Sequence, residues 1–212
     1  MPIPLLAGVT VIGLGAPPPQ STLLRLEVGA ESAVTNVSGS WLWNPRGDAV
    51  LVDEGDAHVR GIDFRLLLGT SRVYLGAELG VSQVTRAPAL SNGHRLPEGG
   101  AFFRTTTPPS GTASSGSSVT LAAPFGLQGQ LGPVLVGVEA LIGWRVMSLE
   151  AYEDGPTVDG FVPLFETRAR AGVWLTPTVS LTLVAGKGVV VNDSRSLCLS
   201  VSVSKLPFDG ER

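Results

Sequence analysis

The segment 72-RVYLGAELGV-81 puts Val73, Leu75, Ala77, Leu79 and Val81 on one side of an extended chain and Tyr74, Gly76, Glu78 and Gly80 on the other. Side chains of a strand alternate between its two faces, so this period of two predicts a strand with one aliphatic face and one small or charged face. The pattern returns along the chain, while helical periodicity with capping signals is hard to find. An all-β chain is expected, with strands near residues 22–34, 58–69, 72–84, 118–131, 134–149, 161–175, 178–188 and 194–205. That makes eight strands, an even number.

The connections are of two alternating kinds. Short ones, 69-GTSR-72, 131-LGPV-134 and 175-LTPTV-179, carry the Gly, Pro, Ser and Thr of tight turns. Long ones are expected at 35–57, 85–117, 150–160 and 189–193, the second including the polar tract 110-SGTASSGSS-118. Strict alternation gathers the short turns, and both chain ends, at one end of the fold.

Which face points inward decides the class of protein. In a soluble barrel the aliphatic face is the core, and in a membrane barrel it meets lipid while charged and small residues fill the lumen. Up-and-down barrels of eight strands occur in both settings, so strand count leaves the choice open. The aliphatic face is well defined across most of the chain: 134-VLVGVEALIGWRV-146, for example, aligns Val134, Val136, Val138, Ala140, Ile142, Trp144 and Val146.

Opposite it lie Arg25, Glu27, Glu31, Asp63, Arg65, Glu78, Glu139, Arg145, Glu166, Arg168 and Arg170. Both signs occur in nearly equal number, as a closed lumen requires if buried charges are to be paired against their desolvation cost. Neither of the two lysines of the chain, Lys187 and Lys205, belongs to this set. Arginine suits buried carboxylates because its planar fork binds them bidentately, whereas a solvated face would include lysine. Glycines 29, 61, 76, 80, 137, 143 and 172 share the charged face, where a narrow barrel needs small residues beside long ones. The aliphatic face therefore points outward, with Phe64, Leu75, Leu79, Phe125, Val138, Trp144, Phe165, Leu181, Leu199 and Val201 expected against lipid. The alternative is a soluble, lipocalin-like barrel that binds an apolar ligand.

Composition agrees with a wall of strands. Charged residues are 16% of the chain against the usual quarter, and glycine reaches 27 residues. The longest apolar run, residues 3–16, falls short of the roughly 18 residues of a spanning helix. A net charge of −3 offers no basic face, so no nucleic-acid partner is expected. Cys198 has no second thiol for a disulfide and is expected as a small strand residue.

On strand number, loop alternation and face chemistry over residues 22–208, the chain resembles the small eight-stranded outer-membrane barrels, such as the OmpX-like proteins and the transmembrane domain of outer membrane protein A. The resemblance implies an up-and-down transmembrane barrel in a Gram-negative outer membrane, with long loops extracellular and both termini periplasmic. It implies outer-membrane lipid and the barrel-assembly machinery as partners. Members of this class end in a strand with a terminal aromatic residue, which Phe208 resembles, although Pro207 precedes it and the tail 209–212 follows. Residues 1–21 read either as the remnant of a secretory signal, cleaved near Gly15 or Ala16, or as an N-terminal tail. Trp41 and Trp43 fall in or near the first long loop, as a contact patch or as packing of a strand extension, and Trp174 falls on the inward set.

Chemistry is sparse. His58 and His94 have no histidine, cysteine or carboxylate at metal-ligand spacing, so neither a metal nor a cofactor is expected. Some outer-membrane barrels remodel lipid A, and those that hydrolyse acyl chains need a serine beside a histidine, which 58-HVRGID-63 does not supply. The lumenal carboxylates read as salt-bridge filler rather than an acid–base pair. The expectation is an envelope-structural or surface-interaction role carried by the long loops, with no enzyme activity. A narrow passive channel and a lipid A-modifying enzyme remain as alternatives.

Overall fold

The computed structural model describes residues 22–36, 41–43, 49–54, 56–86, 89–95, 102–104, 116–150, 157–189 and 193–205. The twelve strands are β1 (Thr22–Asn36), β2 (Trp41–Trp43), β3 (Ala49–Glu54), β4 (Asp56–Thr70), β5 (Val73–Arg86), β6 (Ala89–Arg95), β7 (Phe102–Arg104), β8 (Gly116–Leu131), β9 (Val134–Glu150), β10 (Thr157–Trp174), β11 (Val179–Gly188) and β12 (Arg195–Lys205). Eight of them close on themselves in the order β11-β12-β1-β4-β5-β8-β9-β10, with β10 pairing back onto β11. All pairings round the ring are antiparallel. Closure leaves no open edge in the ring, the condition for strands to stand in lipid.

The barrel's shear follows from the register. A row of partners starting at Ala169 runs through Ala185, Leu197, Ser32, Arg60, Gln83, Ser117 and Ser148, and returns to β10 at Asp159. One circuit thus climbs ten residues, from 169 to 159, toward the long-loop end. Such stagger tilts the strands by about 35 to 45° from the barrel axis.

Turn chemistry accounts for the tight end. In the turn between β5 and its predecessor, Thr70 Oγ1 accepts from the backbone N–H groups of Arg72 and Val73, both at 3.1 Å. Thr176 Oγ1 does the same for Thr178 (3.2 Å) and Val179 (3.0 Å) before β11. Between β8 and β9, Gly132 takes φ +58°, which the first central residue of a type II′ hairpin requires. The start of β1 lies at this end too, since Leu23 faces Gly69 and Leu24 faces Lys205.

Both faces of the barrel are defined by burial. The aliphatic set is outside: Val138 and Trp144 are each 61% exposed, whereas the opposite parity of β9 is buried at Leu135, Glu139 and Arg145. This excludes the soluble arrangement, in which the same aliphatic residues would be the core. Along six strands the outward apolar run is ended, toward the long loops, by the cross-strand row Ser32, Arg60, Gln83, Ser117, Ser148 and Asp159. On β11 and β12 it ends at Lys187 and Arg195.

Several boundaries differ from expectation. The fourth outer connection, expected at 189–193, falls between Gly188 and Arg195, where Gly188 N–H donates to Ser194 O at 2.8 Å. The first two outer segments contain β2, β3, β6 and β7, too short for the alternation to reveal. The backbone of β2 joins β10 through Trp43 and Asp159, and β3 and β6 follow. Strand pairing thus extends past the barrel rim at Trp41 and Trp43. The expectations for residues 1–21, Phe208 and the tail 209–212 fall outside the described residues, as do residues 105–115.

Candidate functional site

The lumen holds a two-storey interior whose chemistry follows from strand parity. All eleven charged residues assigned to the inward face are buried, none more than 5% exposed: five arginines and six carboxylates. Three arginines project from β4 and β10 into one cluster with carboxylates of β1, β5 and β9. Arg65 donates through Nε to Glu78 Oε2 at 2.7 Å, through Nη1 to Glu27 Oε2 at 3.3 Å, and through Nη2 to Glu139 Oε1. Arg168 grips Glu78 bidentately, at 2.8 and 3.2 Å, and donates from Nε to Glu166 Oε2 at 3.0 Å. Arg170 donates to Glu27 Oε1, and its Nη1 lies 3.8 Å from Glu139 Oε2. Glu27, Glu78 and Glu139 are thus each shared by two or more arginines, which is how a dry interior offsets the desolvation of many charges.

Two arginines stand apart from this cluster. Arg145 donates to Glu31 Oε1 at 2.8 Å, Thr120 Oγ1 at 3.0 Å and Thr35 Oγ1 at 3.1 Å. Toward the tight-turn end, Arg25 lies 3.7 Å from Glu27 and donates to Ser204 Oγ and Gln128 Oε1, each at 3.3 Å. Its guanidinium sits 5.1 Å from the ring centroid of Trp174, a cation–π distance. Asp63 is buried, and among the described residues it has no arginine within ion-pair distance and no hydrogen-bond partner for its Oδ1.

Sequence parity places the charges but not their neutral partners. Tyr74 donates its hydroxyl to Glu139 Oε2 at 2.7 Å, and Arg170 lies 5.5 Å over its ring. Ser194 and Ser196 donate to Glu166 at 3.0 and 2.9 Å. Tyr74 lies on the charged side of 72-RVYLGAELGV-81, but only the cross-lumen register shows what it reaches. Tyr74 faces Gly126 across the β5–β8 ladder, and a Cβ at position 126 would run into its ring. Gly126→Val should therefore displace the ring and its bond to Glu139, costing about 1 to 3 kcal/mol. A lower urea midpoint for the protein refolded in vesicles is the expected readout.

Above the charges lies an apolar storey that the alternation did not separate from them. Ala33, Val59 and Val84 form a buried row across β1, β4 and β5, continued at Gly116 and by buried Leu149 on β9. Met147, Val162 and Leu164 are also buried on the tall ends of β9 and β10. The lumen is therefore filled at two levels, and its charged groups are shielded from water although the barrel's ends face solvent.

The outer wall carries the residues expected against lipid. Phe64, Leu75, Leu79, Phe125, Val138, Trp144, Phe165, Leu199 and Val201 are exposed there, and Leu181 is half-buried on the same face. Phe161, 68% exposed, joins the outward aromatics and was not singled out in the sequence. His58 is half-buried on the outward parity of β4, and no serine hydroxyl among the described residues bonds to it. The side chain of His94 lies outside the described residues. Among the described residues no group of three His, Cys, Asp or Glu side chains could hold a metal ion. Cys198 is a free, buried thiol on β12.

No family model matches the chain, and no curated protein matches it by sequence. Solved structures do. Ail, the attachment invasion locus protein of Yersinia pestis, crystallised with the heparin analogue sucrose octasulfate, superposes with a TM-score of 0.51 at 7% identity, covering 87% of this chain and 99% of Ail. Neisserial surface protein A gives a TM-score of 0.47 at 12% identity, covering 85% of this chain and 95% of that one. At such identity the likeness to Ail establishes the fold: a closed, eight-stranded antiparallel barrel of the small outer-membrane type.

Proposed function

We propose that this chain is an outer-membrane barrel of a Gram-negative envelope, a closed scaffold whose long outer segments carry an envelope-structural or surface-interaction role. The filled lumen carries this reading: five arginines and six carboxylates, each no more than 5% exposed, leave no water-lined path through the wall. On this reading the body does not conduct, and the outer segments are its variable part. These run well beyond what strand connection requires, over residues 37–55 and 87–115. The pairing of β2, β3 and β6 beyond the rim supports a presented surface rather than bare linkers. Ail's structure holds a sulfated heparin analogue, so sulfated polysaccharide is the first ligand to assay.

Planar-bilayer recordings on the purified protein should give no steady conductance, and deletion of residues 88–115 should abolish surface binding while leaving the barrel folded. Steady conductance that survives the deletion would instead assign the chain as a narrow channel. Both termini belong in the periplasm on this reading. A cysteine placed at position 99 in a Cys198→Ser background should react with a membrane-impermeant maleimide on intact cells, and one placed at position 72 should not. The reverse labelling would invert the topology.

A further inference from the structure

On the apolar outer wall a groove of about 710 Å³ opens across β8, β9, β10 and β11. That volume lies within the range of small-molecule sites. One edge is a single cross-strand row, Phe125, Ala140, Thr167 and Lys187, and the floor is Ala169 paired with Ala185. The trough exists because alanines and a threonine stand where neighbouring strands carry Leu, Val, Ile and Phe. Its row spans three inter-strand gaps, about 14 Å at ~4.8 Å each. By the barrel's shear it climbs from Phe125, mid-wall on β8, to Lys187, one residue from the end of β11. The trough thus runs obliquely from the apolar middle of the wall to its polar margin.

At that margin Lys187 is exposed, and no carboxylate among the described residues pairs with it. Its cross-strand neighbour Arg195 lies 3.6 Å from Asp193, both exposed, so the margin keeps a net positive charge. Thr167, an outward hydroxyl inside an otherwise apolar run, sits between the trough and Lys187. An apolar trough leading to a cation without a carboxylate partner among the described residues, with a hydroxyl at the junction, matches one chemistry. We infer that this groove binds an anionic membrane lipid, one acyl chain lying on Ala169 and Ala185 and its phosphate on Lys187. The inference rests on the membrane reading above, and charge complementarity selects the headgroup.

The test is native mass spectrometry of the full-length protein released from phosphatidylcholine vesicles that contain phosphatidylglycerol or lipid A. Fractionation and heat-modifiable gel mobility are measured first; failure to enter the vesicles would overturn the membrane reading, and the groove proposal with it. For inserted protein, adducts of the anionic lipid should exceed those of phosphatidylcholine by about fivefold, the effect of one cation near a membrane surface. Lys187→Glu should erase that preference, and Ala169→Phe, which fills the trough, should reduce adducts of every lipid. Equal retention of both lipids, or a preference that survives Lys187→Glu, would overturn the proposal. A dimer lost on Ala169→Phe without lipid loss would overturn it also, assigning the groove to a second copy of the chain.

Discussion

Arg65→Leu is expected to destabilise the folded barrel by about 3 to 5 kcal/mol, the cost of stripping one partner from buried charges. Its guanidinium hydrogen-bonds three carboxylates: Glu27 from β1, Glu78 from β5 and Glu139 from β9. Leucine offers none of these bonds, and Glu139 would keep only Tyr74 and the longer approaches of Arg168 and Arg170. Urea unfolding of protein refolded into vesicles, followed by tryptophan fluorescence, gives the number. The double change Arg65→Leu with Glu139→Leu should cost less than the two single changes added, because the second removes a charge that the first leaves stranded. Full additivity would mean that the two side chains do not interact.

Leu79→Arg should cost about 2 to 4 kcal/mol, the penalty for a cation at mid-bilayer on a barrel's outer face. Leu79 is 43% exposed on the aliphatic face of β5, two residues below Val81 and four below the polar margin at Gln83. In water an exposed arginine there would be tolerated within about 0.5 kcal/mol. The substitution therefore reports the solvent of the outer wall directly, through the same unfolding measurement. A near-neutral result would place that wall in water.

Much of the fold is legible in the chain because a closed barrel keeps one parity per strand. The strand at residues 134–149 is observed as Val134–Glu150, and the charges on one side of it, Glu139 and Arg145, are both inside. Legibility stops where parity is shared. Leu149 and Arg145 point the same way, so alternation alone cannot divide an ionic storey from an apolar one above it. Ion-pair partners were illegible for a related reason. Arg65 meets Glu78 from the neighbouring strand, but Glu139 reaches it across the lumen from β9, 74 residues away, and shear decides which levels coincide. The four short strands β2, β3, β6 and β7 escaped because three to seven residues carry too little periodicity. Lys187 and Thr167 were readable as outward by parity, yet the trough beside them depends on which small residues align across four strands.

The orientation of the two faces is tested most directly by spin-label accessibility along β9. Single cysteines are introduced at each position from 134 to 146 in a Cys198→Ser background, labelled, and reconstituted in vesicles. Exposure to oxygen dissolved in the bilayer should oscillate with a period of two. Maxima are expected at the even positions, those of Val134, Val136, Val138, Ala140, Ile142, Trp144 and Val146, and minima at the odd ones, including Glu139 and Arg145. Oscillation in the opposite phase, or maxima for a water-soluble relaxer at the even positions, would contradict a barrel whose aliphatic face meets lipid.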